Sequence, residues 1–191
     1  MKRTILVSIF VSLSFITVLA QQQPAVHPES GTWIDIAPGN AGFNVRMPGK
    51  PSEKVQAVEA LPGVENHLLT LETKLAAYIV SYVQFPDDVT DPAAIKELLD
   101  RGREGGIASS GGKLKGEKEI KLNDYLGREW TMELPGGLSA LARAYWVKRR
   151  LYQTVFITSP NANDSVEVTT LRQDVGTKFL NSFTLSGDVN K

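Results

Sequence analysis

Cysteine is absent from the 191-residue chain. That excludes disulfide staples, zinc–thiolate sites, a cysteine nucleophile and the lipid-modified cysteine of a bacterial lipoprotein. Histidine is scarce too, with only His27 and His67, and no His-Glu-x-x-His occurs, so no metal is expected. Charge of one sign is also missing: 21 Lys and Arg balance 21 Asp and Glu. Such a chain has no long-range field to gather nucleic acid or anionic lipid. No Gly-x-Ser-x-Gly marks a serine nucleophile. No internal repeat or coiled-coil heptad is present.

The N-terminus is distinctive. Lys2 and Arg3 precede an apolar run from Ile5 to Leu19, and Val18-x-Ala20 places small residues at a peptidase site. This reads as a cleaved signal peptide over residues 1–20, giving a periplasmic or secreted protein. The run of about 15 residues is short for a span of ~20, so an uncleaved anchor is the lesser reading. No later segment is apolar enough to span. Loss of Lys2 and Arg3 leaves 19 basic and 21 acidic residues on the mature chain, a net charge of −2. Residues 21–31 form a polar lead, 32–186 one domain, and 187–191 a tail.

Within the domain the sequence alternates short strands with turn signals. Trp33–Ile36 and Phe43–Met47 read as strands closed by Pro38-Gly39 and Pro48-Gly49, and Lys54–Ala60 is a weaker one. Val64–Thr73 and Leu75–Phe85 are longer. In the second, Tyr78, Val80 and Tyr82 share one face; Ala77, Ile79, Val83 and Phe85 share the other, as in a central strand covered on both sides. Asp91-Pro92 opens a helix with the stripe Ile95, Leu98, Leu99. Gly105-Gly106 is expected to stop it and residues 105–112 to form a mobile loop. Strands then resume at Glu119–Leu122, Leu126–Leu134, Leu138–Val147 and Leu151–Thr158. Pro135-Gly136-Gly137 makes the tight turn between the middle pair, and Lys148-Arg149-Arg150 fills the next. Leu171, Val175 and Phe179 give a closing helix over Leu171–Asn181, with Asp164–Thr170 ambiguous.

Candidate motifs fail on spacing. Gly112-Lys113 lacks the first glycine and the final Ser or Thr of a phosphate loop. Asp87, Asp88 and Asp91 do not have calcium-loop spacing and read as a turn and a helix cap. The lysines 113, 115, 118 and 121 are interleaved with Glu117 and Glu119 and read as a solvated face.

Two arginines stand out. Arg128 alternates in register with Leu126, Trp130 and Met132, and Arg143 with Leu141, Tyr145 and Val147. A guanidinium on an apolar face needs a partner. Each is read as a structural ion pair, with Glu129, Glu133, Glu72 or helix-borne acids available. The functional alternative is a binding site formed by Arg128, Trp130, Arg143 and Tyr145.

Several segments together resemble the PsbP-type extrinsic proteins and the exported bacterial proteins similar to them. They are Phe43-x-Val45-x-Met47-Pro48, Tyr78-x-Val80-x-Tyr82, Gly127-Arg128-Glu129, Arg143-x-Tyr145-x-Val147, Arg150-Leu151-Tyr152 and Phe179-Leu180-x-Ser182-Phe183. The resemblance implies an α+β fold in which an antiparallel sheet is sandwiched by helices. It implies no catalytic residues; the metal ligands of the plant proteins do not carry over, because no matching histidine–carboxylate constellation is present, and neither cofactor nor metal is expected. The expected function is a non-catalytic binding or accessory module of the cell envelope, its partner an envelope protein or small anionic ligand. The alternative is a small exported hydrolase using His67 with a nearby acid. The oligomeric state is left open.

Overall fold

The structure is a computed structural model that describes residues 32–59, 61–159 and 166–187. The signal peptide, the polar lead, Asp164 and the end of the tail lie outside the described residues.

Seven antiparallel strands make the main sheet: β3 (Ser52–Ala57), β4 (Glu65–Glu72), β5 (Ala76–Gln84), β6 (Lys113–Leu122), β7 (Tyr125–Leu134), β8 (Leu138–Val147) and β9 (Arg150–Thr158). Their spatial order is β3-β4-β5-β9-β8-β7-β6. A three-stranded sheet, ordered β1-β2-β10, is built from β1 (Ile34–Ile36), β2 (Phe43–Met47) and β10 (Thr184–Leu185). The helices are α1 (Pro92–Ser110) and α2 (Val166–Asn181). The molecule is thus mostly sheet, mixed with helix.

The hairpins follow their turn chemistry. Pro135–Gly137 forms one 3-10 turn with Gly136 at φ 77°, a value that suits a residue without Cβ. It pairs Leu134 with Leu138 and sets the antiparallel register of β7 and β8. Lys148, at φ 56°, turns the chain from β8 into β9.

Strand alternation divides the core. Ile79, Val83 and Phe85 point to one face of the main sheet with Trp130, Met132, Trp146 and Leu151. There α1 packs over β7 and β8, burying Leu99 and bringing Ile95, Leu98 and Ile107 onto the same cluster. Tyr78, Val80 and Tyr152 point to the other face and meet Trp33, Phe43, Val45 and Met47 of the small sheet. Val175, Phe179 and Leu180 of α2 join them. The face pattern expected for β5 therefore holds.

Two expectations are corrected. The helix α1 does not stop at Gly105-Gly106. It continues to Ser110 and ends where Gly111 adopts the left-handed conformation, its N–H reaching Ala108 and Ile107 carbonyls. Helix-interior glycines each cost about 1 kcal/mol; the buried Gly105 and the apolar contacts of Ile107 offset that cost. The strand expected at Glu119–Leu122 starts six residues earlier, at Lys113. Its first half has almost no apolar residue because it is an exposed edge.

Candidate functional site

The alternation of β7 sends neighbouring residues to opposite faces. Arg128 points to the α1 face, only 13 % exposed, and donates from Nη2 to Oδ1 of Asp100 on α1. Glu119 of β6 lies 3.8 Å from its Nη1. Arg103, one turn further along α1, shares Asp100 at 3.2 Å and also pairs with Glu117 and Glu104. Lys96 reaches Glu119 at 2.9 Å. A charge network therefore clasps α1 to the β6–β7 hairpin, and Arg128 is committed to it. Trp130 is buried in the core on the same face, 3 % exposed, with its indole nitrogen unpartnered.

Arg143 points to the opposite face. Its Nε donates to Glu129 at 2.7 Å, and its Nη1 donates to Oδ1 of Asn181, the last residue of α2, at 2.9 Å. Lys118 holds the other oxygen of Glu129 at 2.9 Å. Burial pushes the Glu129 carboxyl up, but the hydrogen bonds and charges of Lys118 and Arg143 outweigh it and hold the group below the usual carboxylate range. Tyr145 is buried beside Arg143 and stacks against Phe183 at 6.1 Å. Burial raises its hydroxyl pKa against the lowering effect of Arg143.

The four residues singled out from sequence thus do not converge. Arg128 and Trp130 lie under α1, and Arg143 and Tyr145 lie on the other side of the sheet. The sequence placed each arginine correctly on its apolar face, yet could not show that the two faces are opposite ones.

The accessible part is the continuation of the Arg143 face along β6, β7 and β8. Beyond the Lys118–Glu129–Arg143 row the strands present Thr131 and Leu141, then Glu133 and Ser139. An open concavity of about 430 Å³ lies there, lined by Lys115, Thr131, Met132, Glu133, Gly137, Leu138 and Ser139. Lys115 pairs with Glu133 at 2.6 Å. Its hydrogen bond and charge lower the Glu133 carboxyl pKa. Sequence reasoning missed Thr131 and Ser139, and it offered Glu133 as an arginine partner, whereas Glu133 pairs with Lys115. The signal was the polar run Glu129, Thr131 and Glu133 at alternate positions of β7, continued across the turn by Ser139 of β8.

His67 lies elsewhere, on β4. Its ring stacks on Tyr82 at 4.5 Å, nearly parallel, and its Nε2 is 3.8 Å from Glu65. No serine hydroxyl is within hydrogen-bond reach of it among the described residues. Asp91 caps α1, accepting from the Ala94 N–H at 2.9 Å. Among the described residues no group of three His, Asp or Glu is placed to hold a metal. No helix of the described residues is long and apolar enough to cross a membrane.

Among solved structures the chain is similar to cyanobacterial PsbP (CyanoP) from Synechocystis sp. PCC 6803. The match covers 88 % of this chain and 99 % of that one, at a TM-score of 0.56 and 14 % identity. The fold is PsbP-like. The identity is too low to carry more than fold. A protein of unknown function from Pseudomonas aeruginosa, PA94, matches 68 % of this chain and 85 % of its own at a TM-score of 0.39 and 14 % identity. An uncharacterized protein from Mycobacterium smegmatis matches 64 % of this chain and 67 % of its own at 0.31 and 9 % identity. No family model matches the sequence, and no curated protein does.

Proposed function

We propose that the protein is an exported, non-catalytic binding or accessory module of the cell envelope, and that it engages a partner protein through the open face of β6, β7 and β8. One observation carries this reading. That face presents Lys115, Thr131, Glu133 and Ser139 from paired strands around a concavity, beside the Lys118–Glu129–Arg143 row. Side chains fixed on strands suit recognition, because little order must be imposed on binding. Lys115, Lys118 and Arg143 each already face a carboxylate. A small anion must displace a glutamate to bind there, whereas a protein surface carrying charges of both signs can join the rows. In this reading the sheet is sandwiched by α1 on one face and by α2 with the small sheet on the other. Export rests on the N-terminal sequence pattern.

The test combines capture and turnover. Thr131→Arg and Ser139→Arg fill the concavity without touching the core, and are expected to abolish cross-linking to an envelope protein captured by the wild type. Capture that survives both changes removes this face. Hydrolysis of ester, peptide, glycoside or phosphate substrates that is lost in His67→Ala replaces the binding reading with the hydrolase one. N-terminal mass analysis of the exported protein should give Gln21 as its first residue; a chain retaining Met1 in the membrane fraction overturns export with cleavage.

A further inference from the structure

The main sheet has two edges, and they are built differently. The edge β6 carries Lys113, Lys115, Lys118 and Lys121 and is kinked by an irregularity between Leu114 and Gly116. Lysines and bulges are the usual devices that keep an edge strand from pairing with another chain. The edge β3 is less protected. Its six residues pair with β4 in unbroken register from Ser52 to Ala57, it contains no proline, and it carries a single lysine. At its centre Val55 is 53 % exposed. Val55 stands in one cross-strand row with His67 and Tyr82, whose rings stack beside it. Among the described residues no strand lies on the outer side of β3.

We propose that β3 pairs antiparallel with β3 of a second copy of this chain, about a two-fold axis at Val55, joining the two main sheets into one. A two-fold axis normal to the sheet requires a residue to face its own copy. With the axis at Val55, Val55 opposes Val55 of the partner subunit. Lys54 then opposes Gln56 of the partner subunit, and Glu53 opposes Ala57 of the partner subunit. No like charges meet, and two exposed valines become buried against each other. An axis at Lys54 instead sets two ammonium groups face to face, which destabilises a cross-strand pair. Self-complementarity in this register is what selects a second copy as the occupant. The contact is short, so the dimer is of the weak class, below about 1,200 Å², and depends on concentration.

Sedimentation equilibrium over a concentration series reaching the millimolar range tests it. The wild type is expected to pass from monomer to dimer, and Val55→Lys, which places like charges on the axis, to stay monomeric throughout. Because the chain has no cysteine, single-cysteine variants report the register directly. Under copper-catalysed air oxidation Val55→Cys should cross-link to a dimer at least tenfold faster than Glu53→Cys or Ala57→Cys alone, and a mixture of the last two should cross-link to each other. A wild type that remains monomeric at every concentration overturns the proposal. So does a dimer that Val55→Lys leaves intact, or cross-linking of Glu53→Cys as fast as that of Val55→Cys.

Discussion

The ring of Tyr145 lies over Gly127 on the adjacent strand, so close that a Cβ at position 127 would sit 2.4 Å from its Cδ1 and 2.6 Å from the Ala144 carbonyl oxygen. The three consecutive residues Gly127-Arg128-Glu129 therefore perform three separate tasks. Gly127 admits the aromatic ring, Arg128 binds α1 from one face, and Glu129 anchors Arg143 on the other. Gly127→Ala is expected to destabilise the fold by about 1–3 kcal/mol, the usual cost of forcing extra volume into a packed site. Chemical denaturation measures it. The loss in the double variant should be smaller than the sum of the Gly127→Ala and Tyr145→Ala losses, because the ring is one of the two groups the new methyl meets. Strictly additive losses would show that the ring is not what excludes the side chain.

Arg128 and Asp100 form a pair between the two limits usually met. Exposed pairs contribute about 0–1 kcal/mol, and breaking a fully buried one costs about 3–5 kcal/mol. Arg128 is 13 % exposed and Asp100 is 35 % exposed. Arg128→Ala is accordingly expected to cost about 1–3 kcal/mol. A double-mutant cycle should give a larger coupling with Asp100, which is hydrogen-bonded, than with Glu119 at 3.8 Å. A loss below about 0.5 kcal/mol, typical of a surface change, would place Arg128 in solvent.

Much of the fold was legible because its signals are local. The period of two in Phe43–Met47 and Leu138–Val147 gave both strands with their observed ends. Asp91-Pro92 gave the start of α1, since capping and a fixed φ act within one turn. The stop at Gly105 was misread because what holds that turn is its burial, a tertiary fact. The first half of β6 was missed for a related reason: an edge strand faces water on both sides, so Lys113 to Glu119 shows no apolar period. The site was half legible. Alternation placed Arg128 and Arg143 on apolar faces of their strands, but which face of one strand continues which face of the next depends on register. Glu129 pairs in register with Arg143, and that single pairing sends Arg128 to the other side.

Acid should weaken the Arg143 side of the sheet. The Glu129 carboxyl is held below its ordinary value in the folded chain, so its contribution to stability is present above the unfolded pKa of about 4.3 and is lost as pH falls through the folded value. Denaturation midpoints measured from neutral pH downward should fall below about pH 4.3. Glu129→Gln, which cannot titrate, should be less stable at neutral pH and show a shallower acid decline. An unchanged slope in that variant would assign the acid sensitivity to other carboxylates.

Alkali tests the aromatic row on the same face. Tyr82, Tyr152 and Tyr145 follow one another across β5, β9 and β8. All three hydroxyls are pushed above the ordinary phenol value, in each case chiefly by burial, with Arg150 opposing the shift at Tyr82 and Tyr152 and Arg143 at Tyr145. A raised folded pKa contributes stability that is complete below the unfolded value near 10 and is lost as pH rises through the folded one. Unfolding above about pH 10 should therefore coincide with the appearance of phenolate absorbance from these side chains. Tyr152 is the most informative. Its hydroxyl donates to the Ala41 carbonyl at 2.7 Å, and Arg150 reaches the same oxygen at 3.1 Å. Tyr152→Phe removes one donor and leaves the carbonyl satisfied, so the cost at neutral pH should be about 1 kcal/mol rather than the larger penalty of an orphaned buried group. The same variant should flatten the alkaline decline. Phenolate absorbance that develops fully before any loss of tertiary signal would show that these rings are open to solvent in the folded protein.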